Sequence, residues 1–125
     1  MAARSVLVKL VNKTDFTLSI DSDNCSLQVG EWATKPPESI SAQSTGQWES
    51  ESDSYDDGTV GHCHYIIQDG TDTWVSVNWS NPFSAPSHAQ SDTGNDNLYK
   101  CMPPDPGSYQ RDDHPTMVFT LTRNG

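Results

Sequence analysis

Basic residues are scarce in this 125-residue chain. Seven lysines and arginines stand against seventeen aspartates and glutamates, for a formal charge of −10. Nucleic acid is excluded as a partner, because phosphate binding draws its affinity from Lys and Arg displacing counterions. Purely electrostatic adsorption to anionic lipid is excluded for the same reason. A membrane role would need neutral or zwitterionic head groups, or aromatic insertion. Long apolar runs are also missing, and nothing approaches the roughly 18 residues of a spanning helix. The opening segment, Met1-Ala2-Ala3-Arg4 followed by Ser5 to Val11, is interrupted by Lys9 and has no signal-peptide core or cleavage site. Synthesis in the cytosol is expected, with export by an unconventional route or by cell lysis. Cysteine is limited to Cys25, Cys63 and Cys101, an odd number that cannot all pair within one chain. Reduced, partly buried thiols are expected, with one disulfide as the alternative.

Catalytic signatures are absent too. There is no Gly-x-Ser-x-Gly elbow, phosphate-binding glycine loop, Cys-x-x-Cys or His-Glu-x-x-His. A non-enzymatic protein without cofactor or metal is the expectation. No segment carries an apolar period of 3.6 over three turns, which removes amphipathic helices from the reading.

What remains is β-structure. Val6-Leu7-Val8-Lys9-Leu10-Val11 is an apolar, β-branched run that ends in a turn cluster, Asn12-Lys13-Thr14-Asp15. Phe16, Leu18 and Ile20 alternate with polar residues, marking a second strand expected to pair with the first as a hairpin. Asp21 to Asn24 reads as a polar loop, and Pro36-Pro37 forbids interior strand pairing. Ser44-Thr45-Gly46 reads as a turn before a half-exposed strand from Trp48 to Ser52. His62 to Ile67 and Thr73 to Trp79 flank an Asp69-Gly70 turn, the signature of a hairpin. Ser84 to Asp96 is polar on both faces and reads as a long loop, while Met117, Phe119 and Leu121 alternate in a closing strand. About eight short strands at roughly ten-residue spacing predict one all-β domain over residues 1–125, a single antiparallel β-sandwich.

Several clusters invite a chemical reading. His62 and His64 share one face of a strand with Cys63 on the other, which reads as an ordinary strand surface. Glu49, Glu51, Asp53, Asp56 and Asp57 fit no calcium loop and read as a solvated face. The sequons at Asn12, Asn24 and Asn78 carry no weight without a secretory signal. Aromatics are the remaining signal. Trp48 and Trp74 are assigned to the core; Trp32, Trp79, Phe83 and Tyr55, near turns and strand ends, are candidates to meet a lipid head group or a sugar, because such rings join an apolar body to a polar edge.

The order of landmarks resembles a known family. Val11-Asn12-Lys13-Thr14, Gly30-x-Trp32-x-x-x-Pro36, Trp48-Glu49-Ser50-Glu51-Ser52, Gly58-Thr59-x-Gly61, Tyr65 and Asn81-Pro82-Phe83 together look like an aegerolysin. The likeness extends to the small component of bacterial two-component insecticidal crystal toxins. It implies a β-sandwich that binds target-cell membrane lipid or a receptor, in some members through sphingolipids, and forms pores with a second protein partner. A homo-oligomer is left open. The residues the resemblance brings to head-group binding are Trp32, Trp79, Asn81 and Phe83, with Tyr65 weaker. The alternative function is a non-lytic, carbohydrate-binding sandwich lectin.

Overall fold

Alternation of buried and exposed side chains along short strands builds two stacked sheets. The computed structural model describes residues 3–54, 56–110 and 112–124. Among them the strands are β1 (Ser5–Asn12), β2 (Leu18–Val29), β3 (Glu31–Thr34), β4 (Ser39–Ile40), β5 (Ser44–Glu51), β6 (Thr59–Ile67), β7 (Trp74–Asn81), β8 (His88–Thr93), β9 (Tyr99–Met102) and β10 (Thr116–Arg123). The first sheet runs β3-β5-β1-β10-β9 and the second β4-β2-β6-β7-β8. All pairings are antiparallel except β1 with β10, where the first and last strands lie side by side in parallel. The fold is an all-β sandwich, as the sequence leads one to expect, and the β6–β7 hairpin forms around the Asp69-Gly70 turn with Gly70 at φ 91°.

The expected β1–β2 hairpin does not form, because Asn12 turns the chain from one sheet to the other. Its Nδ2 donates to the carbonyls of Phe16 (2.8 Å) and Ser41 (3.0 Å), and its Oδ1 accepts from the Thr14 N–H (3.1 Å) and hydroxyl (2.7 Å). These bonds satisfy a corner that two-strand pairing would otherwise satisfy, so β1 pairs with β5 instead. The segment expected as a polar loop at Asp21 to Asn24 belongs to β2, with a register shift between Asp21 and Cys25 that accommodates the extra residues. Ser44 to Gly46 are the first residues of β5 and not a turn. Within the expected long loop, His88–Thr93 forms β8, an edge strand whose small side chains lie against β7.

Cys25 and Cys63 stand directly opposite one another on β2 and β6 and are joined by a disulfide, while Cys101 is free and buried. The expectation of reduced thiols is therefore corrected: register places two of the three cysteines in contact. Closing a loop of sequence separation 38 restricts the unfolded chain enough to be worth about 4 kcal/mol in the chain-entropy model.

Between the sheets lies an aromatic row. Trp32 meets Trp79 at 6.0 Å between ring centroids, Trp79 meets Trp48 at 5.8 Å, and Trp48 meets Tyr65 at 5.9 Å. Each tilted pair adds roughly 0.5–1.5 kcal/mol beyond area burial. The Trp79 indole N–H donates to the Ser50 hydroxyl (2.9 Å), which also accepts from Thr59 (2.8 Å), so one buried serine on β5 ties β6 and β7 of the opposite sheet to the first. Replacing Ser50 by Ala leaves the Trp79 N–H buried without an acceptor. A loss of about 1–3 kcal/mol is expected in urea denaturation, with no change of fold by circular dichroism.

Candidate functional site

One end of the sandwich gathers four of the five residues to which the sequence points, Trp32, Trp79, Asn81 and Phe83. The start of β1, the β2–β3 junction, the β5–β6 loop and the β7–β8 loop converge there, since Ser5 is in register with Glu51, Glu31 with Glu51, Val29 with Val60 and Thr59 with Asn81. Two glycines permit the close approach. Gly30 has φ 101°, and a Cβ there would lie 2.5 Å from the Glu51 carbonyl oxygen. A Cβ on Gly58 would collide with the backbone at Asn81 and Pro82.

Asn81 is the clamp of this end. It is buried, its amide donates to the carbonyls of Ser5 (3.1 Å) and Asp113 (2.9 Å), and its oxygen accepts from Ser87 (3.0 Å). Around it Arg4 is held by four contacts. Its backbone exchanges hydrogen bonds with Ser52, its guanidinium pairs with Asp113 at 3.3 Å and donates to the Phe83 carbonyl at 3.2 Å, and its charge lies 5.1 Å from the centre of the Phe83 ring. Phe83 is 42% exposed and Val29 37%. Trp32 is half-buried on β3, with one face against Trp79. The carboxylates of Glu31, Glu51, Asp53, Asp56 and Asp57 line the same end, with Ser54 donating to Asp57 (2.8 Å).

The five candidate residues thus divide. Trp32 and Phe83 reach the surface of this end. Trp79 and Tyr65 do not: they are core rings, 1% and 0% exposed. The Tyr65 hydroxyl donates to the Pro37 carbonyl at 2.7 Å, and burial raises its pKa beyond the ordinary phenol range. As placed, Trp79 and Asn81 shape the end from below, whereas Tyr65, in register with Val75, lies toward the other end of β6; none of the three offers a free surface to a ligand, a correction to their reading as contact residues. Tyr55 lies outside the described residues. Arg4, Val29 and Asp113 join the site without any local signal in the sequence; Arg4 and Phe83 are 79 positions apart.

The opposite end is closed by polar turns. There the Tyr99 hydroxyl donates to Asp69 at 2.5 Å, and burial together with that carboxylate pushes the phenol up to about 12. Burial would raise the Asp69 pKa, but hydrogen bonds from Thr71 and Tyr99 outweigh it and hold the carboxyl below its usual range. The other two exposed large hydrophobics among the described residues, Met102 and Val118, lie on β9 and β10 and not at either end.

His62 and His64 do share the outer face of β6, with ring centroids 6.2 Å apart and Cys63 facing inward. His64 stacks on Trp74 at 5.2 Å, so Trp74 packs on the sheet's outer surface and not between the sheets. Among the described residues, no three His, Cys, Asp or Glu side chains are grouped so as to hold a metal.

No protein-family model matches the sequence, and no curated protein matches it either. Solved structures do match in shape. The chain is similar to RahU protein, solved in complex with a Tris molecule, at a TM-score of 0.78 and 19% identity over 100% of this chain and 98% of that one. It is similar to the lipid binding protein Nakanori at 0.76 and 12%, over 98% of this chain and 73% of that one. It is also similar to IP-1A from Alcaligenes faecalis at 0.75 and 11%, over 99% and 94%. These likenesses define the fold: an aegerolysin-like β-sandwich.

Partial burial and the charge of His62 lower the His64 pKa from 6.5, against the opposing pull of Asp21. The unfolded chain therefore binds a proton that the folded chain resists. Stability is expected to be fully present above about pH 6.5 and to decline as pH falls from there toward the folded pKa. Thermal melts from pH 8 to 5 should show this decline in the wild type and a shallower one in His64→Gln.

Proposed function

We propose that this protein binds lipid membranes through the end of the sandwich built around Asn81, and that it acts as one component of a membrane-directed toxin. The observation that carries the reading is the exposed Phe83 and Val29 beside a half-buried Trp32, gathered at one end of an otherwise strongly acidic chain. Aromatic rings with one wet edge favour the interfacial zone of a bilayer. The lipid binding recorded for the similarly folded Nakanori supports the same reading.

The electrostatics favour a particular head group. Glu31, Glu51, Asp53, Asp56 and Asp57 repel an anionic surface, whereas a choline or ethanolamine ammonium can sit among carboxylates and over the Trp32 ring. Arg4, beneath Phe83 and already paired with Asp113, would turn its remaining donors to the phosphate of the same zwitterionic group. Among the described residues no helix is long and apolar enough to cross a membrane. Pore formation would then follow from assembly, with a second protein partner supplying the spanning structure, and insect cells are the proposed target by the family resemblance. Trp79 and Asn81 would serve recognition indirectly, by holding Trp32 and the Phe83 segment in place, and Tyr65 only as a core ring packed on Trp48.

Flotation and dye-release assays on sphingomyelin-containing, plain phosphatidylcholine and phosphatidylglycerol vesicles test the reading. Binding to the zwitterionic vesicles without dye release by the protein alone is expected. Trp32→Ala with Phe83→Ala should weaken that binding at least tenfold while leaving the fold intact. Failure to bind any vesicle, or equal binding by the double variant, would overturn it.

A further inference from the structure

The outer face of the second sheet carries hydrogen-bonding groups that the fold does not use. Along β7 and β8 the outward residues are in register as Ser76 with Asp92, Asn78 with Gln90 and Ser80 with His88. Most side-chain hydrogen bonds in these strands belong to inward or interstrand groups, such as Trp79 to Ser50 and Ser91 to the Cys101 carbonyl; of the outward residues, Asp92 accepts from the Thr93 N–H through one carboxylate oxygen and keeps the other free. Asn78 and Gln90 have no such partner among the described residues, although each amide offers a donor and an acceptor side by side.

These two amides lie where two depressions meet. A groove of about 460 Å³ runs past Ser76, Asp92 and Pro103, and a smaller one of about 150 Å³ runs past Gln28, Val60 and His88; Asn78 and Gln90 line both. β6, β7 and β8 contain no lysine or arginine, so the face has no cation with which to hold a phosphate, sulfate or carboxylate. The larger groove has a mostly polar lining, which disfavours an acyl chain, and the smaller one, past Val60, is the more apolar of the two and offers a C–H contact surface. Adjacent donor and acceptor pairs, a carboxylate, hydroxyls and small apolar patches in an open groove complement the vicinal hydroxyls and C–H faces of a sugar ring.

We propose that the β7–β8 face is a binding site for a neutral saccharide; it adjoins the lipid-facing end at Val60 but uses none of Arg4, Trp32 and Phe83. Asn78 and Gln90 bind vicinal hydroxyls, Asp92 accepts from a third, and Ser76 and Ser80 leave room for the ring. A chain with both sites would engage a target cell through its glycans and its lipid head groups together, raising avidity without a new contact at either.

The test is binding of the purified, bacterially expressed protein to an array of neutral and sialylated glycans, followed by titration with the neutral oligosaccharide giving the highest signal. Binding confined to neutral glycans is expected, competed by the free sugar and weakened at least tenfold in Asn78→Ala/Gln90→Ala. Both positions are on the surface, and thermal melts check that the variant is folded. Trp32→Ala/Phe83→Ala should bind the sugar like the wild type, so loss of lipid binding and loss of sugar binding are read separately. No neutral glycan bound above background, preference for sialylated glycans, or undiminished binding by Asn78→Ala/Gln90→Ala would overturn the proposal.

Discussion

The hydrogen bond from the Trp79 indole to the Ser50 hydroxyl joins the two sheets at the centre of a four-ring row. A small sandwich with only 33% hydrophobic residues has little aliphatic volume with which to hold two faces together. Large rings supply that volume, and because an indole N–H in the interior needs an acceptor, Ser50 makes the packing specific as well as apolar. Trp48 lies beside it with its own N–H unpartnered among the described residues, so the burial of that ring is apolar packing alone.

From this joint the candidate lipid-binding end follows. Trp32 is half-buried because Trp79 supports one of its faces, and Trp79 stands where β7 leads into Asn81. Asn81 in turn fastens the start of β1 and the segment before β10, which carries the Asp113 that positions Arg4 under Phe83. Each surface group is therefore fixed by a buried one. The same sheet turns its other side outward as a polar face with no cation, so the aromatic end and the hydroxyl-and-amide face present different chemistry to a target surface.

Much of the architecture was legible in the sequence where a local rule had no competitor. The β6–β7 hairpin has an Asp-Gly turn between two β-branched runs, and it forms as read. The expected β1–β2 hairpin has no such determinant, because Asn12 makes its corner with the distant Ser41 carbonyl, a contact with no signature near Asn12 itself. β8 was hidden for a related reason: an edge strand with small, polar residues lacks the apolar alternation by which strands are recognised. The site was legible in part. Trp32 and Phe83 sit beside the glycine and proline that mark their turns, but Trp79 has similar neighbours and is core, because a strand's alternation overrides its proximity to a turn. Arg4 could not be found from sequence, since its partners Phe83 and Asp113 are distant from it along the chain.

On the proposed reading, one end of the sandwich, and not the other, meets the bilayer. Hydrogen–deuterium exchange of the intact protein, with and without sphingomyelin-containing vesicles, addresses it directly. New protection is expected to be confined to residues 29–32, 52–54, 56–58 and 82–87, with the turns at residues 68–72 and 94–98 unchanged. Protection concentrated at those opposite turns would contradict it.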